Sequence, residues 1–251
     1  MLAAAIALLA MLGAVAVADT LLGTDGPDQL SGTPSPDQLY GEGGNDRLLG
    51  AGSNDYVEAG PGDDEADGGD GVDLVIGGTG ADRIDAGADN DVVYAGAGAD
   101  LVLGGPGADT LFGQSDADRL FGGSGADRIY ASLGGDFVDA GSGSDRISAD
   151  EGDLTVRAGA GNDVVTADGG RIEVRTGGGR DRIRTGSWDD RVIAGRGADS
   201  IDTGAGNDRI DSDNGARDRV RCGPGNDEVF IDPDDILSGC EDIVNASRPR
   251  R

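Results

Sequence analysis

The stretch Gly122-Gly123-Ser124-Gly125-Ala126-Asp127-Arg128-Ile129-Tyr130 decides the fold, because versions of it recur every nine residues on both sides. Numbered one to nine, it carries glycine at one, two and four, aspartate at six and an aliphatic residue at eight. The register runs from Gly23 to Asp211 without insertion or deletion, and those 189 residues make twenty-one units of nine. Position six is held by Asp28, Asp37, Asp46, Asp55, Asp64, Asp73, Asp82, Asp91, Asp100, Asp109, Asp118, Asp127, Asp136, Asp145, Asp163, Asp181, Asp190, Asp199 and Asp208. Leu154 and Ile172 are the two departures from that column. Position eight is aliphatic throughout, from Leu30 through Val57, Ile84, Leu111 and Val165 to Ile210, with Ala66 its weakest member. A ten-residue unit, Ser212 to Arg221, keeps Asp218 and Val220 in the same roles. A last clear unit, Cys222 to Phe230, supplies Asp227 and Val229.

The chemistry of one unit follows from its residue types. Glycines at three of the first four positions let the backbone turn through positive φ and leave its carbonyl oxygens uncovered. The aspartate adds a carboxylate to them. An all-oxygen, flexible ligand set suits a hard cation such as calcium, whereas zinc and copper sites draw on histidine or cysteine. Positions seven to nine, polar, aliphatic and variable, read as a very short strand with its middle side chain turned inward.

The pattern resembles the nonapeptide G-G-x-G-x-D-x-U-x, with U aliphatic, of the haemolysin-type calcium-binding or RTX repeats. The chain looks like a member built almost wholly of repeat. That resemblance implies an all-β parallel β-roll solenoid, in which successive nonapeptides alternate between two facing sheets and two of them, eighteen residues, make one turn. It also implies multiple Ca2+ ions held by the position-six aspartates listed above together with Asp218 and Asp227. In such a roll Cys222 and Cys240, eighteen residues apart, fall in adjacent layers roughly 4.7 to 4.9 Å apart. That spacing permits a disulfide, with two free thiols as the alternative. Leu154 and Ile172 also differ by eighteen, so both missing aspartates belong to one edge, where they are expected to pack on each other in place of an ion. The other edge keeps Asp145, Asp163 and Asp181.

Composition narrows the function. The chain has 251 residues, 48 glycines and a formal charge of −28. Its acidity is periodic rather than tail-like, which separates it from acidic disordered segments. All 20 cations are arginine and there is no histidine. Ser-His-Asp and Cys-His chemistry is thereby excluded, and the acidic surface argues against nucleic acid as a partner. Residues 1–18, apolar from Leu2 to Val17 and ending Ala16-Val17-Ala18, read as a secretory signal peptide. The mature chain is then expected to be secreted and extracellular, without a membrane span. Residues 19–230 form the calcium-binding roll. Residues 231–251, ending Arg248-Pro249-Arg250-Arg251, form a C-terminal cap and basic tail, since the end repeats of a solenoid must cover an open stack.

The reading these features support is a secreted, non-enzymatic calcium-binding protein that folds on binding Ca2+ and serves a structural, adhesive or scaffold role. One aliphatic residue per strand makes a thin core, and stacked aspartates repel one another, so the cation is expected to be required for folding. The alternative is a calcium-dependent carbohydrate-active enzyme, or a module that binds a cell-surface or glycan partner through an outer sheet face. For that face the sequence offers Ile76, Tyr94, Phe112 and Tyr130 at eighteen-residue intervals, and Arg157 beside Arg175. Cross-strand packing that stabilises a thin sheet is the better account of the aromatic column.

Overall fold

The computed structural model describes residues 18–245, so the leader before Ala18 and the basic tail from 246 onward lie outside the described residues. Those described residues form strands joined by turns. Consecutive strands alternate between two thirteen-stranded sheets, each parallel throughout. The β-solenoid with eighteen residues per turn is therefore the architecture of this chain.

The register is the repeat made visible. Val93 pairs with Leu111 and Leu111 with Ile129, each eighteen residues on. The extra residue in Ser212 to Arg221 is absorbed locally: Ile201 pairs with Val220 and Ile210 with Val229, nineteen residues apart, and side chains keep their faces. The expected C-terminal cap is itself built from the same strands. Ile236–Ser238 and Asp242–Asn245 add the last strand to each sheet, pairing Val220 with Leu237 and Val229 with Ile243. A one-residue slip would have turned every aliphatic residue to solvent, which is why the chain makes up the difference in its turns.

Position eight fills the space between the sheets, and from Leu39 to Val229 its residues are buried, most of them completely. Position one is a second inward column, beyond the single aliphatic residue per strand expected from the repeat. Ala59, Ala86, Ala95, Ala131, Ala140, Ala158 and Ala167 lie buried there. The column stays small because it stands against the aspartate of its own unit: a Cβ on Gly41 would come 2.6 Å from Asp46 Oδ2. At the far end the same column carries Cys222, which is buried and bonded to Cys240 with a Cα–Cα distance of 5.2 Å. The bridge ties the final turn to its neighbour, as the eighteen-residue spacing indicated.

Positions two and four are left-handed in most units, at φ 93° in Gly141 and 147° in Gly143. Seven other residues at these positions, Glu42, Ala51, Ser53, Asp89, Gln114, Asp116 and Ser132, keep the same conformation, whereas Thr24, Thr33, Ser35, Asp150, Asp168 and Trp188 do not. At those seven the fold imposes the conformation on residues that resist it. Gly143 has a second constraint, since a methyl group there would run into the carbonyl oxygen of Gly125 in the preceding turn. Gly143→Ala is expected to lower the stability of the calcium-loaded protein by roughly 1–3 kcal/mol. Thermal unfolding measured beside Ser142→Ala, an exposed neighbour, checks this; equal melting temperatures for the two variants would show that the turn has room.

Candidate functional site: two ladders of buried aspartates

The turn between strands brings position six to the edge of the solenoid, where the strand that follows starts. Each aspartate there meets its counterpart one turn away. The backbone N–H of Asp91 donates to Oδ1 of Asp109 at 2.9 Å, and that of Asp109 to Oδ1 of Asp127 at 2.9 Å. The same contact runs along the opposite edge, from Asp64 to Asp82 and from Asp82 to Asp100. Eighteen-residue steps therefore sort the aspartates into two ladders, one per edge, and from Asp37 to Asp227 every member is buried. Asp28, at the open end, is half-buried.

One oxygen of each carboxylate is thus held by the backbone, and the other decides the chemistry. In seventeen aspartates, Asp46, Asp55, Asp64, Asp73, Asp82, Asp91, Asp100, Asp109, Asp118, Asp127, Asp145, Asp163, Asp181, Asp190, Asp199, Asp208 and Asp227, Oδ2 is buried without a hydrogen-bond partner. A buried carboxylate oxygen without a donor is costly, and a column of them calls for a cation. A backbone oxygen stands nearby. Beside Gly104, a point one Cβ bond from the backbone lies 2.7 Å from Asp109 Oδ2 and 2.6 Å from the carbonyl oxygen of Gly122 in the next turn. Among the described residues no three His, Cys, Asp or Glu side chains converge. A cation at these edges would therefore draw on backbone carbonyls to complete its shell, as calcium does and zinc does not. The residues fit the ion.

Burial and repulsion show in the acidities. Burial, opposed by the N–H of Asp100 and aided by the charges of Asp100 and Asp136, pushes Asp118 up to about 8. Asp82 and Asp91 are raised to about 7, again mainly by burial, with the neighbouring ladder aspartates adding to it. Asp37 goes the other way. Burial still raises it, but the N–H of Asp19 and the N–H and hydroxyl of Thr33 together outweigh burial, and the carboxyl sits below its ordinary value.

The break in one ladder falls where the sequence placed it. Leu154 and Ile172 pair across adjacent strands and are both buried, one apolar contact in the line of carboxylates. On either side the backbone finds other acceptors: the N–H of Asp136 donates to the carbonyl of Asp153, and that of Ile172 to Asp190 Oδ1. The intact edge continues from Asp145 to Asp163 and on to Asp181.

Two ladder members escaped the nine-residue pattern. Oδ1 of Asp235 accepts the N–H of Asp218 at 2.8 Å, and Oε2 of Glu241 that of Asp227 at 3.4 Å. They stand seventeen and fourteen residues on, out of phase. The signal available was local: Asp235-Ile236-Leu237 and Glu241-Asp242-Ile243 each place an acid two residues before an aliphatic residue, as every repeat does.

Among the described residues the outer faces offer no comparable ladder of unpartnered carboxylates. Tyr94, Phe112 and Tyr130 stack with ring centroids 4.7 Å apart and nearly parallel planes, so the aromatic column packs against itself. Leu103 and Phe121 pair likewise on the other sheet. Arg157 and Arg175 are strand neighbours as expected. Each has its own partner, the Phe137 ring 5.2 Å from the Arg157 guanidinium and the Glu173 carboxylate 3.1 Å from Arg175. Trp188 is largely exposed.

A two-sheet parallel β-solenoid whose edges carry buried, half-satisfied aspartates defines the class: a repeat protein with cation sites between its turns. The RTX calcium-binding nonapeptide repeat matches residues 16–48, 31–66, 67–102, 103–138, 139–171, 175–210 and 185–218, most of the chain. The chain belongs to this family of calcium-binding repeats. No curated protein matches it.

The raised acidities fix the direction of a pH effect. A ladder carboxyl that titrates near 6 to 8 when folded and near 3.9 when unfolded holds its proton more tightly in the fold. Stability of the calcium-free fold is therefore gained as pH falls through that window, and lost as pH rises through the folded values. In calcium-free buffer, the far-UV circular dichroism of the chain is expected to show more β-structure at pH 5 than at pH 8. With calcium the dependence reverses, because protons compete for the same oxygens. A calcium-free chain equally or more structured at pH 8 would contradict the burial of these carboxyls.

Proposed function

We propose that this chain is a secreted calcium-loaded β-roll that folds when calcium binds and then serves as an extracellular structural or adhesive scaffold. The observation that carries the reading is the pair of ladders with seventeen buried, donorless Oδ2 atoms at eighteen-residue spacing. The ligands would be those seventeen aspartates together with Asp136, which is buried in the same ladder. When bound, calcium supplies positive charge and oxygen coordination between neighbouring turns.

The chain's own part is to hold the carboxylates in place. Outside the gap at Leu154 and Ile172, the N–H of one ladder aspartate fixes Oδ1 of the next, so that Oδ2 keeps one direction. A small residue at position one, glycine or alanine in most units and Thr176, Thr185, Thr203 or Cys222 in others, stands beside it. Without a counter-ion the stacked carboxylates are both buried and mutually repelled, which opposes folding. Binding energy then becomes folding energy. A structural role agrees with the family, whose β-rolls are typically structural rather than catalytic. Export agrees with the apolar leader read at residues 1–18, and no helix among the described residues is long and apolar enough to cross a membrane.

Calcium titrated into the chain from Asp19 onward is expected to drive a cooperative coil-to-β transition at roughly 10⁻⁴ to 10⁻³ M. Magnesium is expected to leave it unfolded, since it demands a tighter octahedral shell. A chain already fully β-structured in excess chelator at neutral pH would defeat the proposal.

A further inference from the structure

Three ladder aspartates differ from the rest in how Oδ2 is treated. In Asp28 it accepts the N–H of Thr24 at 2.6 Å and the Thr24 hydroxyl at 2.8 Å. In Asp37 it accepts the N–H of Thr33 at 2.5 Å and the Thr33 hydroxyl at 2.9 Å. In Asp218 it accepts Nδ2 of Asn214 at 2.7 Å. The donor is four residues before the aspartate in every case. In the first two units the same threonine also accepts a backbone N–H from inside the turn, Gly26 at 3.3 Å and Ser35 at 3.2 Å.

The three aspartates share a place as well as a geometry. Asp28 and Asp37 belong to the first two repeats, and Asp218 to the penultimate turn. Past it, the terminal Asp235 is also satisfied, its Oδ2 accepting the N–H of Asp232 at 3.0 Å and the Ser212 hydroxyl at 3.1 Å. The Asp218 turn still has the Asp235 turn beyond it, so what the three share is an Oδ2 already filled by the chain and not a missing neighbour. Donors from the chain take the place that the cation has in the interior, and hydrogen bonds to a carboxylate are among the stronger ones.

We propose that Thr24 and Thr33 make the first two repeats a calcium-independent cap, and that Asn214 does the same near the other end. Asp28, Asp37 and Asp218, although in phase with the other ladder aspartates, are then not calcium ligands. The proposal rests on the calcium reading of the interior and assigns the limits of its ladders. The two threonines act as specificity-determining residues: they convert a calcium-type turn into one that is closed by its own side chain.

The test counts bound calcium per chain by equilibrium dialysis, at calcium saturation, on the chain from Asp19 onward. The double variant Asp28→Asn with Asp37→Asn is expected to bind as many ions as the parent, whereas Asp91→Asn with Asp109→Asn binds fewer. If the first pair lowers the count as the second does, the cap proposal is overturned. If neither pair lowers it, the calcium reading of the ladders fails instead. A second pair of variants guards against misfolding. Thr24→Gly with Thr33→Gly, which restores glycine at position two, is expected to raise the count, while Thr24→Ser with Thr33→Ser, which keeps the hydroxyls, leaves it unchanged. Equal counts for the glycine and serine pairs would overturn the proposal.

Discussion

The hydrogen bond from the backbone N–H of one aspartate to Oδ1 of the aspartate a turn ahead is the contact on which the rest of the structure depends. It satisfies a backbone donor that the turn would otherwise bury, and it holds the carboxylate in one orientation. The second oxygen is then directed, turn after turn, to the same place at the edge. Register, spacing and the cation-binding character of the edges all follow from that one repeated bond. The strands beside it are short and carry few inward side chains, so the edges bear more of the organisation than the core does.

The proposed coupling of folding to the ion rests on a feature that ordinary cores lack. A well-packed apolar interior is stable as soon as it forms, but here the interior is narrow and lined on both edges by acids whose acidity is suppressed. In the proposed reading, such a chain gains its neutral-pH fold when positive charge arrives at the edges, which would suit export before calcium is met. The disulfide between Cys222 and Cys240, and the hydrogen-bonded aspartates of the first repeats, lie towards the two ends of the described stack.

Much of this was legible in the residues. Asp127 and Ile129 in one unit, repeated with the same offset, gave the alternation of edge and core. The eighteen residues per turn implied by the resemblance agreed with the separation of Cys222 from Cys240, and Leu154 with Ile172 gave the position of the gap. What escaped the reading broke phase or belonged to a side chain without an obvious role. Asp235 and Glu241 sit seventeen and fourteen residues beyond their partners, because the final turns are shorter. Position one was read as a source of backbone freedom, yet Ala59 and Ala131 show that it faces inward and must stay small.

The sequence by itself determined the period, and with it the column of aliphatic residues and the columns of acids. The two-sheet roll was implied by the resemblance of that period to the calcium-binding nonapeptide repeats. The tertiary structure decided which oxygen of each carboxylate is already satisfied. Thr33 and Asp37 are four residues apart in a turn, whereas Asp91 and Asp109 meet across one full turn of the solenoid, and both kinds of contact look the same in the spacing of aspartates. Hydrogen bonds are directional, so their outcome is settled when the turns stack and each Oδ2 either finds a donor or is left without one.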